Sequence, residues 1–167
     1  MEESEIISRA KPSTPPETDI ARVATEVLET LLKLMGVAGV VESSSDEVPV
    51  SLGIEGDDLG ILIGRRGQTL ACLQYIVRLI VASQLKVWLP LNIDVCEYKK
   101  RRHDSLQRLA LRLAEQVQLQ HRAIALEPMP PDERRIVHLA LADHAEVVTH
   151  SIGEGEDRKV VILLKRG

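Results

Sequence analysis

Apolar positions recur at helical spacing in four long stretches of this chain and alternate at strand spacing between them. Ile20, Val23, Val27, Leu31 and Leu34 form one stripe, which predicts a helix beginning after Thr18 or Asp19 and stopped by Gly36. Val37–Glu42 and Val48–Ile54 read as strands joined by the polar turn Ser43-Ser44-Ser45-Asp46. A short helix is expected from Asp57 or Asp58 to Ile63. A longer one follows from Gly67 to about Ser83, with Leu70, Leu73, Ile76, Val77 and Ile80 inward. From Trp88 to Val95 the pattern alternates: Leu89, Leu91, Ile93 and Val95 face one way, Asn92 and Asp94 the other, as in a half-buried strand.

The second half opens on a helix after Lys99–Arg102, whose stripe is Leu106, Leu109, Leu113 and Val117 and which runs to about Gln120. Ala123–Leu126 can form a short strand, ended by Pro128, Pro130 and Pro131. Pro131 suits a first helical position, and Asp132 and Glu133 suit the positive end of the helix dipole, so a helix is expected to about Ala142. Two strands close the chain, Val147–Ile152 and Lys159–Leu164, around the turn Gly153-Glu154-Gly155-Glu156-Asp157. Residues 1–18 are charged and carry Pro12, Pro15 and Pro16, with too little apolar surface to fold, so they read as a disordered tail. The pattern by itself predicts an α+β protein.

One junction in this pattern carries chemistry. Gly60-Ile61-Leu62-Ile63-Gly64-Arg65-Arg66-Gly67-Gln68-Thr69-Leu70 sets a G-x-x-G loop between two helical runs. Gly64 and Gly67 permit a sharp turn and close backbone approach. The helix that restarts there turns its N–H groups and positive dipole end toward the loop. With the guanidinium groups of Arg65 and Arg66, these amides make a site for a phosphodiester. Ile61, Ile63 and Leu70 supply an aliphatic wall on which bases can lie. A Walker-type nucleotide loop is a poor alternative, because no Lys-Ser or Lys-Thr follows Gly67.

Charge sharpens this reading through its distribution. The net charge of −4 argues against a polyanion partner. Residues 1–58, however, carry four basic and thirteen acidic side chains, residues 59–102 eight and two, and residues 103–167 nine and ten. The one strongly positive segment therefore holds both the G-x-x-G loop and the run Lys99-Lys100-Arg101-Arg102. Lys99 and Arg102 become candidate phosphate contacts, against the ordinary meaning of such a run as a solvated face. With no Phe and 2% aromatic residues, the chain is poorly equipped for the stacking platforms of RRM or OB folds.

The order helix, strand, strand, helix, G-x-x-G, helix, strand over about residues 19–98 resembles the type II K-homology (KH) domain. The resemblance implies a three-stranded sheet with helices on one face and a clamp for single-stranded nucleic acid. In the second half, Arg134 and His138 stand at i and i+4 on one helix face. They could grip a phosphate together, or the histidine could serve a local structural network. Glu133-Arg134-Arg135-Ile136-Val137-His138, followed by the hairpin Gly153-Glu154-Gly155…Arg158-Lys159-Val160-Val161-Ile162, closely resembles the R-3-H domain. That implies helices on a small three-stranded sheet over residues 99–167. It also implies single-stranded nucleic-acid binding by Arg134 and His138, with Arg135 and Arg158 as helpers.

A KH domain followed directly by an R-3-H domain is similar to the Jag/KhpB family of bacterial proteins. The family implies cytoplasmic RNA binding with a regulatory or chaperone role and no cofactor. Single-stranded DNA is the alternative ligand, and a small KH-only protein or a second copy the protein partner. Many members carry an additional N-terminal domain whose place here is taken by the acidic tail.

Other classes find less support. Asp57 and Asp58 beside a phosphate loop could suggest a metal-dependent nuclease, but they lack a convergent acid set and more simply cap the short helix. A scaffold acting mainly through protein contacts is the further alternative. His138, His144 and His150 lack zinc-site geometry, so no metal is expected. Cys72, amid helix core, and Cys96, at a strand end, read as structural thiols of a reducing compartment. The acidic N-terminus is unlike a signal peptide, and no apolar run approaches the roughly 18 residues of a membrane span.

Overall fold

A computed structural model describes residues 17–45, 49–88 and 90–165. Most of the expected tail, the Asp46 end of the first turn, the Val48 start of the second strand, and Leu89 lie outside the described residues. The chain divides into two compact units between Glu97 and Tyr98.

In the first unit, α1 (Glu17–Leu34) is followed by β1 (Val40–Ser45), β2 (Val50–Glu55), α2 (Gly60–Ile63), α3 (Gln68–Leu85) and β3 (Leu91–Val95). The sheet order is β1-β2-β3, with β1 antiparallel and β3 parallel to β2. The parallel pair is bridged by α2 and α3, as a parallel crossover requires. Ile20, Leu28, Leu52, Ile54, Leu62, Val77, Ile93 and Val95 are fully buried, each contributing roughly 1.5–3 kcal/mol of apolar transfer free energy.

Several expected positions move. The buried line of α1 runs through Ile20, Ala24, Leu28 and Leu32, with Val27 and Leu31 at its edge and Leu34 79% exposed. Alanines at 21 and 24, weak signals in a hydrophobicity pattern, are what actually face the core. The helix closes with a Schellman pair, Gly36 N–H to Lys33 O (3.1 Å) and Val37 N–H to Leu32 O (3.0 Å). Strand β1 begins three residues later than expected and continues through the serines assigned to the turn. Its ladder with β2 reaches Ser45, through a register shift between Ser43 and Ser45, because pairing satisfies the backbone whatever the side chains are.

Helix α2 starts only at Gly60. Its N-cap is Leu59 with no side-chain cap, and Asp58 is left-handed (φ 53°), so the expected capping by Asp57 and Asp58 is corrected. On α3 the buried line is Leu70, Leu73, Val77 and Val81, whereas Ile76 and Cys72 are exposed, not core. Strand β3 starts at Leu91 rather than Trp88. Trp88 is exposed and lies against the Arg78 guanidinium, 5.8 Å from the ring centroid. The edge of β3 is covered from α3: Ile93 N–H donates to Gln74 Oε1 and Arg78 Nη2 donates to Leu91 O, both at 3.0 Å.

The second unit comprises α4 (Tyr98–Gln120), β4 (Ile124–Ala125), α5 (Pro131–Ala140), β5 (Val147–Ile152) and β6 (Lys159–Leu164). The antiparallel sheet is ordered β4-β6-β5. Its core joins Val117, Leu126, Val137, Val147, Val160 and Ile162 around Ala110 and Ala114. The α4 stripe is therefore Leu106, Ala110, Ala114 and Val117, with Leu109 and Leu113 packed at its side. The run Lys99–Arg102 is the first turn of α4 rather than a segment before it. Helix α5 ends two residues early, where Leu141 and Ala142 N–H switch to carbonyls three residues back. Both units are α+β. Among the described residues no helix is long and apolar enough to cross a membrane.

Candidate nucleic-acid interface

The turn between α2 and α3 is built from backbone that few residues adopt. Gly64 has φ 68° and ψ −168°, a region open essentially to glycine alone. A Cβ there would run into the Thr69 side chain, 2.7 Å from its Cβ. Arg65–Gly67 then forms a 3-10 turn in which Arg66 (φ 54°, ψ 33°) and Gly67 (φ 79°) are left-handed, closed by Gln68 N–H on Arg65 O. Gly67 is the N-cap of α3. No side-chain cap covers the start of that 18-residue helix, so its positive end is left for an anion. Arg65 is exposed and Arg66 half-buried beside it.

The expected aliphatic wall is only partly present. Ile61 is 66% exposed and Ile63 half-buried, but Leu70 is buried in the core and offers no surface.

In the second unit the pair at i and i+4 is held from two sides. Val147, Thr149 and Ser151 lie on the face of β5 turned toward α5. His138 Nδ1 lies 2.6 Å from Thr149 Oγ1, and His138 Nε2 lies 2.8 Å from Ser151 Oγ. Arg134 donates through Nε to Met129 O (3.2 Å) and makes a long contact through Nη1 with Ser151 Oγ (3.5 Å). Burial first, then the charges of Arg134 and His150, push His138 below its ordinary pKa. The imidazole is therefore neutral at pH 7, with one hydroxyl donating to it and the other accepting. Arg158 sits close by through the backbone, since its carbonyl accepts Met129 N–H (3.2 Å) while its side chain is exposed. Arg135 is exposed on α5.

Arg102 has a different partner. Its Nε and Nη2 donate to Glu133 Oε1 and Oε2 at 2.7 and 2.9 Å, a bidentate pair tying α4 to α5. Glu133 is 6% exposed, and its hydrogen bonds raise the Arg102 pKa above its already high value. A guanidinium so matched is occupied by the fold. Lys99 is exposed on the same turn. Thr149, Ser151 and Glu133 were missed in the sequence reading. The β5 alternation, with Val147 inward, carried the signal for the first two.

The remaining histidines do not converge on His138. His144 Nδ1 accepts from Glu146 and Val147 N–H at 3.3 Å, and His150 points to the opposite face of β5. Among the described residues no group of three or more His, Cys, Asp or Glu could hold a metal ion.

Two modules, one a G-x-x-G helix pair on a β1-β2-β3 sheet and the other an Arg-x-x-x-His helix on β4-β6-β5, define a KH and R-3-H protein. Residues 21–89 match the family described as KhpA/KhpB, KH domain, and residues 104–164 match the R-3-H domain. The chain is 43% identical over 145 residues to RNA-binding protein KhpB of Clostridium symbiosum, covering 86% of this chain and 65% of that protein. It is 35% identical over 141 residues to the protein of the same name in Bacillus subtilis (strain 168), covering 83% and 68%. A third relative of that name, from Lactiplantibacillus plantarum, is 28% identical over 163 residues, of which the match spans 51%. The chain belongs to the KhpB family, and spans about two thirds of the length of the first two relatives.

Proposed function

We propose that this chain binds single-stranded RNA, chiefly through its phosphate backbone, at two sites. The first is the Gly64–Gly67 turn with Arg65, Arg66 and the exposed edge of Ile61 and Ile63. The second is the α5 site of Arg134 and His138, with charge from Arg135 and Arg158 nearby and from Lys99 on α4. Arg102 leaves this set, because removing its guanidinium from Glu133 would strand a buried carboxylate. The observation that carries the reading is the turn itself: two arginines held between Gly64, in glycine-only backbone, and Gly67, which opens a helix without a side-chain cap. The names of the relatives, all RNA-binding proteins, point the same way. Phosphate contacts position a strand without fixing its sequence, which suits a regulator or chaperone acting on many RNAs in the cytoplasm, without a catalytic step.

Replacing Arg65 and Arg66 by Asp tests it directly. The double variant should keep its thermal midpoint and lose most of its affinity for an unstructured RNA oligonucleotide. Unchanged binding would remove the turn from the interface. Competition with the matching DNA oligonucleotide separates RNA preference from simple polyanion binding.

A second reading rests on α3, where Tyr75, Ile76 and Leu79 stand exposed together. Helical spacing puts them on one stripe, suited to a second copy or a small KH-only protein. Sedimentation of Ile76→Asp against the unaltered chain tests it, a shift to a lighter species being the expected outcome.

A further inference from the structure

The hydrogen bonds around His138 leave the imidazole with no polar atom to offer a ligand. Both ring nitrogens already face hydroxyls, at 2.6 Å and 2.8 Å. Arg134, by contrast, uses Nε and Nη1 within the fold and keeps Nη2 without a partner among the described residues. Ser151 is the atom both motif residues share. Arginine can only donate, so Ser151 Oγ accepts from Arg134 Nη1. Two tautomers fit these contacts; in the one with Thr149 O–H donating to Nδ1, the ring proton sits on Nε2 and it too is donated to Ser151 Oγ. Both acceptor positions of the serine oxygen are then filled. In that arrangement the serine hydrogen is left to donate to a further acceptor.

We propose that Ser151 is a third ligand-contacting group of the α5 site, donating its hydroxyl hydrogen to a phosphate oxygen of single-stranded RNA, and that His138 is a positioning residue acting through it. The assignment rests on the RNA-binding reading of this site. A phosphate oxygen would meet Arg134 Nη2 and the Ser151 hydroxyl together, one charged donor and one neutral one. The histidine fixes the direction of the neutral donor. Nothing in this division of labour requires the imidazole to be charged; Arg134 beside it on α5 and, from the opposite face of β5, His150 both disfavour its protonation.

The test uses the full chain and a fluorescently labelled, unstructured RNA oligonucleotide, read by anisotropy. Ser151→Ala should weaken binding about tenfold, the loss of one hydrogen bond to a charged group, read at a temperature where the variant is fully folded, because its thermal midpoint falls as His138 and Arg134 lose their shared acceptor. Ser151→Thr, which keeps the hydroxyl, should restore it. His138→Ala should weaken binding to a similar degree, and the double variant His138→Ala with Ser151→Ala should be no weaker than Ser151→Ala alone. Additive losses mean that the imidazole touches the RNA itself, and overturn the positioning role. A loss in Ser151→Ala that Ser151→Thr fails to repair is structural, and overturns the contact. Arg134→Ala separates the two levels. If it weakens binding while Ser151→Ala does not, this proposal fails and the RNA-binding reading of the site stands. If neither matters, both fall.

Discussion

The two candidate sites are built by opposite constructions. In the KH unit the proposed anion site is mostly main chain: Gly64 and Gly67 at positive φ, the start of α3 without a side-chain cap, and Arg65 and Arg66 carried on the turn. In the R-3-H unit it is side chains from two elements, Arg134 and His138 of α5 locked onto Thr149 and Ser151 of β5. The first site depends on a conformation and the second on a network. Substitutions should therefore fail differently in each: those in the turn should act through backbone strain, those in the network through polar groups left without partners.

The largest effect is expected away from both ligand surfaces, at the pair that underpins the network. Arg102→Ala leaves Glu133 buried without its bidentate partner, a loss of about 3 kcal/mol in chemical denaturation. Arg102→Met combined with Glu133→Leu should recover much of it, because two apolar chains need no partner. If the single variant is as stable as the unaltered chain, α4 and α5 are held by packing alone, and the contrast between the units weakens.

Gly64→Ala is the corresponding break in the first unit, with an expected cost of about 2 kcal/mol from its glycine-only backbone and the Thr69 overlap. Gly67→Ala should cost less, about 1 kcal/mol, because the left-handed region it occupies is open to other residues at modest strain. Equal losses at the two glycines would show that the glycine-only backbone of Gly64 and its approach to Thr69 add nothing beyond an ordinary left-handed position. Urea titration of both variants makes the comparison.

How far each unit was legible follows from the same difference. A backbone site announces itself in local sequence, since two glycines at fixed spacing before an apolar helical run are its construction rules. The turn, the order of elements in each unit and the R-3-H hairpin strands could all be read this way. What local pattern could not supply was rotation and pairing. The stripes on α1 and α4 follow large aliphatic residues, of which Ile20, Val23, Leu106 and Val117 are buried, whereas Ala24, Ala110 and Ala114 complete the core faces. Small side chains carry little hydrophobic signal but allow close packing. Leu70 reads both as an inward position of α3 and as part of the wall, and only the inward reading holds. Arg102 reads as one cation in a basic run, and nothing nearby in sequence reveals that Glu133, thirty-one positions on, faces it across two helices. Likewise His138 was seen on its helix but its hydroxyl partners lie on a strand beyond a turn.

The smallest effect expected is a pH dependence confined to the second unit. The folded His138 pKa lies below its ordinary value, first through burial and then through Arg134 and His150. The unfolded chain therefore binds this proton more readily than the folded one. The resulting stability is present in full above the unfolded value of about 6.5 and is lost as pH falls through the lower folded value. His138→Gln keeps a donor and an acceptor without a titrating group, so it should flatten that part of the profile while leaving the alkaline side nearly unchanged. Thermal midpoints of the two proteins, measured from about pH 8 down to about pH 5, give the comparison. The KH turn contains no histidine, so Gly67→Ala should shift the whole curve without changing its shape. A profile that His138→Gln leaves as steep as before would place the titrating group elsewhere, and the imidazole would no longer be the neutral centre of the network.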